Sequence, residues 1–183
     1  KKRIEKIVLE VKPNGVIHFA AICLVSESME RPADYFEINL MGTVNLLEAM
    51  KKAEVNNLIF LSTSTVYGEN QYLPIDEKHP LSPVSLSGES KLMMEKIARH
   101  YQQECGVEWV ALRYFNACGA SLDGQLGETH FPETHLIPVI LAALSDGKPV
   151  SIMGTDYKTR DGSSTKDYIH VDSAVHVKKK AVY

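Results

Sequence analysis

Short apolar segments alternate with longer amphipathic segments along most of the chain. Residues 16–21, 57–62 and 107–114 are runs rich in apolar and β-branched residues, and they predict strands that are buried on both faces. Apolar residues recur at helical spacing over 32–53 and 88–104, which predicts two helices. Strands that alternate with helices in this way are typical of βαβ units, so the fold class predicted is α/β with a parallel sheet.

Further elements are predicted towards both ends of the chain. Helical spacing indicates helices over 1–11 and 135–146, and short apolar runs indicate strands at 149–153 and 167–171. Residues 116–134 are rich in glycine and polar residues and predict a long loop. Because this loop is longer than a simple connection needs, we expect it to have a functional role.

Composition and charge exclude several classes of protein. The 183 residues are 44% hydrophobic and 23% charged, values typical of a globular domain with a sizeable core. The net charge of −3 and the lack of a long basic block argue against a nucleic-acid partner. No apolar run approaches the ~20 residues that a membrane span needs. The three cysteines are widely spaced, so we assign no metal ligand and expect a reducing compartment, the cytoplasm.

Candidate chemistry lies at the predicted strand ends, where parallel α/β sheets bind their ligands. Ala20 and Ala21 are small enough for a flat ligand to approach the backbone, although tight packing explains them equally well. The hydroxyls of residues 62–65 fit ligand binding or ordinary turn chemistry. Asn116 fits a phosphate or a sugar hydroxyl, or simply the start of a loop. No glycine-rich phosphate loop is present in the printed sequence.

A polar stretch at 86–91 precedes the helix predicted over 88–104. Ser87 and Lys91 lie four residues apart and therefore share a face if the helix begins near Ser87. A hydroxyl and an ammonium group held together there fit acid–base chemistry. They also fit an ordinary helix cap followed by a solvated lysine. Lys166, next to Asp167, fits either a phosphate contact or an exposed ion pair of little energetic value.

Seven segments together carry a resemblance to a known family. They are VIHFAA (16–21), NLMGTVNLLEA (39–49), LSTSTVYG (61–68), GESKLMMEK (88–96), RYFNACG (113–119), GETHFPETHLIP (127–138) and KDYIHV (166–171). In this order they resemble the extended short-chain dehydrogenase/reductase family of NAD-dependent epimerases and dehydratases. Within it, RYFNACG and GETHFPETHLIP are similar to the group of UDP-sugar 4-epimerases.

The resemblance implies a partial Rossmann-like, doubly wound parallel sheet that lacks its first strands. Residues 1–115 would be part of an NAD-binding domain, and residues 116–183 would supply substrate-binding loops and further sheet elements. The family's glycine-rich pyrophosphate loop would precede Lys1, and its remaining substrate-binding part would follow Tyr183. We therefore expect a piece of a longer protein, with an open apolar sheet edge at 16–21 and poor solubility in isolation.

The resemblance also implies a reaction. In these epimerases a tyrosine in a Y-x-x-x-K motif takes a proton from the sugar 4-hydroxyl while hydride passes from C4 to NAD. By position, Lys91 is the lysine, Thr63 hydrogen-bonds the reacting oxygen, and Ser87 stands in place of the tyrosine. An aliphatic hydroxyl is far less acidic than a phenol, whose pKa is ~10. We therefore predict that the chain, as it stands, does not catalyse this reaction. The alternatives are a non-catalytic homologue that binds a nucleotide sugar, and a structural module that uses the same scaffold.

The resemblance assigns binding roles by position. The predicted cofactor-binding residues are Phe19, Ala20, Ala21, Asn39, Ser62, Lys91, Tyr114 and Phe115. The predicted substrate-binding residues are Thr63, Ser64, Thr65, Asn116, His135, Leu136, Ser151, Ile152, Met153 and Lys166. Ser64 and Thr65 replace the acidic pair of the related dehydratases, which favours epimerisation. Homodimerisation is expected through the helices near 32–53 and 88–104.

Overall fold

The computed structural model describes residues 1–23 and 25–175. Within them the chain divides into two compact units, the first ending at Tyr114 and the second beginning at Phe115. Each unit is described by itself below.

The first unit is built from a parallel sheet and amphipathic helices. Its elements are α1 (Lys2–Val11), β1 (Val16–His18), α2 (Val25–Glu30), α3 (Pro32–Asp34), a π-helical segment (Tyr35–Met41), α4 (Gly42–Ala53), β2 (Asn57–Thr63), a 3₁₀ turn (Ser64–Tyr67), α5 (Leu86–Cys105) and β3 (Glu108–Tyr114). Pro32 starts the helical stretch that runs through the π-helical segment to Ala53, which confirms the predicted helix 32–53.

The three strands form one parallel sheet in the order β1–β2–β3. Val16 pairs with Leu58, and Leu58 pairs with Trp109. The predicted α/β class with a parallel sheet is therefore confirmed. In the described part of the chain β1 is an edge strand, and Ile17 on it is 48% exposed.

The core of the first unit lies between the sheet and helices α4 and α5. Leu58 and Phe60 of β2 are buried against apolar side chains of both helices. The members of this cluster with 0% exposure are Leu47, Met50, Met94 and Val107. Helix α1 packs against α4 and contributes Val8, and Glu5 of α1 accepts a hydrogen bond of 2.6 Å from Lys52 of α4.

Helix α5 has defined signals at both ends. The Ser85 side chain accepts a hydrogen bond from the Gly88 backbone N–H at 3.2 Å, which caps the N-terminus. Gly106, at φ 69°, ends the helix in the left-handed conformation that glycine adopts without steric cost. The helix therefore begins two residues before its predicted start, and both Ser87 and Lys91 lie inside its first turns.

The second unit contains β4 (Asn116–Cys118), α6 (Leu136–Ser145) and β5 (Tyr168–His170). The two strands pair in parallel, with Asn116 opposite Tyr168 and Cys118 opposite His170. Gly119 follows β4 at φ 93°, where a Cβ atom would lie 2.3 Å from His170 Nε2. Glycine is favoured at this position because its φ is positive, and a side chain would also require the His170 ring to move.

Three predictions of secondary structure are wrong. β1 ends at His18 rather than residue 21, because the chain leaves the sheet there and Phe19 is 56% exposed. Residues 116–134 are not entirely loop, because β4 occupies their first three positions and pairs with β5. The strand predicted at 149–153 does not form, since these residues pair with no strand in the described part of the chain, and Met153 is 94% exposed.

No helix of the described ranges is both long and apolar enough to span a membrane.

Candidate functional site

Helix α5 presents Ser87 to the segment that follows β1 and Lys91 to the carboxyl end of β2. Both side chains are buried, at 4% and 6% exposure. Gly88, between them in sequence, lies so close to Thr65 that a Cβ atom would stand 2.8 Å from the Thr65 carbonyl oxygen. The glycine therefore lets the start of α5 pack directly on the segment that follows β2.

Lys91 is a buried ammonium group at the end of β2. Its Nζ donates a hydrogen bond of 2.8 Å to the Leu61 carbonyl oxygen and lies 5.1 Å from the centre of the Phe60 ring. Burial lowers the pKa of Lys91 from 10.5 to about 8. Keeping the Lys91 ammonium group charged in this buried position therefore costs solvation free energy.

Ser87 is hydrogen-bonded through both its hydroxyl and its backbone carbonyl group. Its Oγ donates to the Cys23 carbonyl oxygen at 3.2 Å, and its own carbonyl oxygen accepts from Ser90 Oγ at 2.9 Å. The hydroxyl therefore serves as a hydrogen-bond donor to the segment that follows β1.

Asn39 anchors the same segment. Its Oδ1 accepts from the Ile22 backbone N–H at 2.9 Å, and its Nδ2 donates to the Ile22 carbonyl oxygen at 2.9 Å. A further bond of 3.2 Å runs from Nδ2 to Ser90 Oγ. Asn39 is fully buried, so in this structure it orders the segment that carries Phe19, Ala20 and Ala21. Its predicted role in cofactor binding stays a prediction.

His18 is a buried site residue that the sequence analysis missed. Its Nε2 lies 3.1 Å from Thr43 Oγ1, and Thr43 Oγ1 donates to the Asn39 carbonyl oxygen at 2.7 Å. Burial, with a smaller repulsion from Lys91, lowers the pKa of His18 from 6.5 to about 4. The imidazole is therefore neutral at pH 7. The sequence shows only a lone histidine in an apolar run, which does not indicate a contact with Thr43, 25 residues away.

An ion pair between the half-buried Arg113 and the buried Glu95 lies near the ends of β2 and β3. Arg113 on β3 binds Glu95 on α5 through two hydrogen bonds, of 2.7 and 3.1 Å. Ser62 Oγ donates to Glu95 Oε1 at 2.5 Å, and Arg113 also donates to Tyr67 Oη at 3.2 Å. The Glu95 carboxylate holds the pKa of Arg113 above its usual value. Ser62 was predicted to bind cofactor, and here its hydroxyl is part of this network.

Thr63 opens the 3₁₀ turn that follows β2. Its Oγ1 accepts from the Thr65 backbone N–H at 3.2 Å and lies 3.2 Å from Thr65 Oγ1. Ser64 is half-buried and Thr65 is exposed. At the end of β3, burial raises the pKa of Tyr114 above its usual value. The first unit thus brings its predicted residues to the carboxyl ends of three neighbouring strands.

The predicted residues of the second unit are mostly exposed. Asn116 is the exception, because its Nδ2 donates to the Asp167 carbonyl oxygen at 2.8 Å and joins β4 to the start of β5. His135 stands at the N-cap position of α6, and Leu136 is the first residue of that helix. The remaining exposed positions of this set are Phe115, Ser151, Ile152, Met153 and Lys166.

Four side chains of the second unit form a cluster that the sequence analysis did not predict. Glu128, His130, Glu133 and His135 place one potential ligand atom each within 4.8 Å of one another. The signal in the sequence was the spacing E-x-H-x-x-E-x-H inside the segment GETHFPETHLIP.

The first unit fits the nicotinamide–ribose part of NAD by the chemistry of its donors. An ammonium group has three N–H donors, and one on Lys91 donates to Leu61, so donors remain for a ribose hydroxyl. Ala20 and Ala21, after β1, add no bulk that would keep a flat ring from the backbone.

Comparison with known proteins identifies the family. The family model described as the NAD dependent epimerase/dehydratase family matches residues 1–182. The chain belongs to this family.

Individual relatives in the family are UDP-glucose 4-epimerases. The chain is 45% identical over 173 residues to the UDP-glucose 4-epimerase of Lactobacillus helveticus, which covers 94% of this chain and 52% of the relative. The chain thus spans about half the length of the curated relatives it matches.

Two solved structures share its fold. The UDP-glucose 4-epimerase of Brucella ovis in complex with NAD has a TM-score of 0.93 and 42% identity, over 99% of this chain and 56% of that one. The UDP-glucose 4-epimerase of Stenotrophomonas maltophilia with bound NAD and formylated UDP-arabinopyranose has a TM-score of 0.92 and 34% identity, over 99% and 55%. These likenesses confirm the partial Rossmann-like α/β fold and the NAD-dependent family that the sequence motifs predict.

Proposed function

We propose that this chain carries the reaction-centre part of a UDP-sugar 4-epimerase, and that with Ser87 it binds ligand without turning it over. The observation that carries the proposal is the pair Ser87 and Lys91, buried on one face of α5. The identity to UDP-glucose 4-epimerases supports the substrate class. The predicted roles of the site residues are part of this proposal.

Lys91 and Thr63 would position the reacting groups. Bound NAD supplies a reversible hydride acceptor for the sugar C4. The Lys91 ammonium would hold the nicotinamide ribose through N–H groups beyond the one that donates to Leu61. The Thr63 hydroxyl, which accepts from the Thr65 backbone N–H, would donate its own proton to the 4-oxygen of the sugar.

Ser87 cannot replace the tyrosine as a proton acceptor. An aliphatic hydroxyl is about as weak an acid as water, and its pKa is far above the ~10 of a phenol. An ammonium group ~4 Å away stabilises an anion by about 4 kcal/mol at an effective dielectric constant near 20, which lowers a pKa by about 3 units. Ser87 would therefore remain protonated at neutral pH, and removal of the proton from the sugar 4-hydroxyl would lack its base.

The second unit would supply contacts to the nucleotide and its diphosphate. His135 and Leu136 begin α6, and Asn116 is held at the start of β4 by its bond to Asp167. Lys166 is exposed and would meet a phosphate as a point charge.

We further propose that the chain forms a homodimer through α4 with its preceding turns and through α5. Sedimentation of the purified chain would test this proposal.

Ligand-observed NMR tests the binding half of the proposal. We expect saturation transfer from the chain to both the uridine and the glucose protons of UDP-glucose. The Thr63→Val variant should weaken transfer to the glucose protons more than to the uridine protons, and Lys148→Ala, on an exposed part of the second unit, should leave both unchanged.

Activity and binding results together separate the alternatives. Interconversion of UDP-glucose and UDP-galactose by the chain with Ser87 in place would contradict the proposed inactivity. A chain that binds neither UDP-glucose nor NAD would contradict the binding role and favour a structural module.

A further inference from the structure

We propose that Glu128, His130, Glu133 and His135 form a binding site for one divalent transition-metal ion of the Zn²⁺ class. The four residues lie within eight positions of one loop that leads into α6. Each offers one ligand atom, and the four atoms lie within 4.8 Å of one another. The site lies wholly within the second unit and shares His135 with the proposed nucleotide contacts.

Three separations between a histidine nitrogen and a carboxylate oxygen are close to those around a tetrahedral ion, two of them measured to different oxygens of the Glu133 carboxylate. His135 Nδ1 lies 3.3 Å from Glu128 Oε1 and 3.5 Å from Glu133 Oε1. His130 Nδ1 lies 3.5 Å from Glu133 Oε2. Zn²⁺ with ligands at about 2.0–2.1 Å in a tetrahedron places neighbouring ligand atoms about 3.3–3.4 Å apart. Only His130 Nδ1 and Glu128 Oε1 are closer, at 2.6 Å, the length of a direct hydrogen bond.

The loop already fixes the orientation of these side chains. Glu133 Oε1 accepts hydrogen bonds of 2.8 Å from the backbone N–H groups of Thr134 and His135. The two imidazole rings pack edge to face with their centres 4.9 Å apart. His130 Nε2 is enclosed without a hydrogen-bond partner among the described residues, so the polar contacts of this ring are all on its Nδ1 side. To close the site on an ion, the hydrogen bond between His130 and Glu128 must lengthen, and the ligand atoms that lie up to 4.8 Å apart must approach one another.

The donor set selects the kind of ion. Two imidazole nitrogens and two carboxylates suit Zn²⁺, and the two carboxylates balance its charge. Ca²⁺ and Mg²⁺ prefer six or more oxygen ligands and would leave the imidazoles unused.

Metal titration of the purified full chain, freed of metal with a chelator, tests the site. We expect calorimetry to show uptake of one Zn²⁺ per chain at neutral pH and no uptake of Mg²⁺. X-ray absorption at the zinc edge should show nitrogen and oxygen ligands, including imidazole, without sulfur.

Variants of the cluster should lose this affinity. The double variant His130→Gln/His135→Gln and the single variant Glu128→Gln should each bind Zn²⁺ at least about tenfold more weakly, since even changes around a ligand cost 10- to 100-fold. His100→Gln removes an exposed histidine on α5 and should bind like the parent chain. Circular dichroism checks that each variant keeps its helices.

Three results would overturn the proposal. They are the absence of Zn²⁺ uptake by the parent chain, equal affinity in the parent and in Glu128→Gln, and a sulfur ligand in the absorption spectrum, which would assign the ion to the free cysteines.

Discussion

The two units of the chain hold their predicted functional residues in opposite ways. In the first unit Ser62, Ser87 and Lys91 are buried, and each is already hydrogen-bonded to the protein. In the second unit Ile152 and Met153 project into solvent, at 79% and 94% exposure. In the first unit, side chains predicted to act at the site therefore also stabilise the fold, whereas the exposed Ile152 and Met153 contribute little to the fold of the second unit.

The largest expected effect on stability is loss of the Arg113 guanidinium, which pairs with a buried carboxylate in the first unit. Arg113→Met would leave the Glu95 carboxylate, at 3% side-chain exposure, without its ion-pair partner. Because an uncompensated buried charge is costly, we expect the free energy of unfolding to fall by about 3–5 kcal/mol. Urea denaturation followed by circular dichroism measures it. A loss below 1 kcal/mol would contradict the expected cost of leaving Glu95 without its partner.

Replacing the buried lysine should have a smaller effect that depends on pH. Below pH 8, Lys91 is charged in both the folded and the unfolded chain, and burial imposes its full cost. Between about pH 8 and 10.5 the folded chain releases this proton first, so the free energy of unfolding rises with pH. The shift corresponds to about 3 kcal/mol. Lys91→Met should therefore be more stable than the parent chain at pH 7, by an amount that shrinks towards pH 10.5.

The matched control for this change is Lys96→Met, an exposed position on the same helix. Denaturation curves at several pH values should show the same dependence for Lys96→Met as for the parent chain. If Lys91→Met also follows the parent chain from pH 7 to 10.5, the buried ammonium group does not carry the predicted cost.

The smallest effect is expected for an exposed ion pair of the second unit. Lys148 and Asp146 are 2.7 Å apart, yet their side chains are 70% and 56% exposed. Lys148→Ala should lower the free energy of unfolding by no more than about 1 kcal/mol, because solvent screens such pairs. Denaturation under the conditions used for Arg113→Met gives the contrast between the units directly. Equal losses in the free energy of unfolding for Lys148→Ala and Arg113→Met would contradict the expected difference between the units.

Periodic features of the sequence predicted the framework of the first unit. The short apolar run at 57–62 and the helical spacing at 88–104 gave β2 and α5 because burial imposes these patterns locally. The end of β1 was misplaced because Phe19, Ala20 and Ala21 are apolar like the strand before them, although they leave the sheet.

The sequence patterns could not predict contacts between residues that are distant in the chain. Helical spacing put Ser87 and Lys91 on one face, but nothing in it linked Arg113 to Glu95 or His18 to Thr43. Such contacts depend on how helices pack on the sheet, and a periodic pattern specifies only which face is buried. The family motifs supplied roles for Thr63, Ser87 and Lys91, and those roles remain predictions until ligand binding is measured.

The central claim concerns the residue at position 87, and a hybrid enzyme tests it most directly. In the hybrid, this chain replaces the 173 matching residues of the Lactobacillus helveticus relative, which supplies the remaining half of its length. The hybrid would be made with Ser87, with Ser87→Tyr, and with Ser87→Phe as a control of similar bulk without a hydroxyl. Interconversion of UDP-glucose and UDP-galactose is then measured for all three.

We expect Ser87→Tyr to raise kcat by about 10²–10⁴ over both the Ser87 and the Ser87→Phe hybrids, the range that a positioned acid–base group contributes. Equal rates for the Ser87 and Ser87→Tyr hybrids would contradict the account.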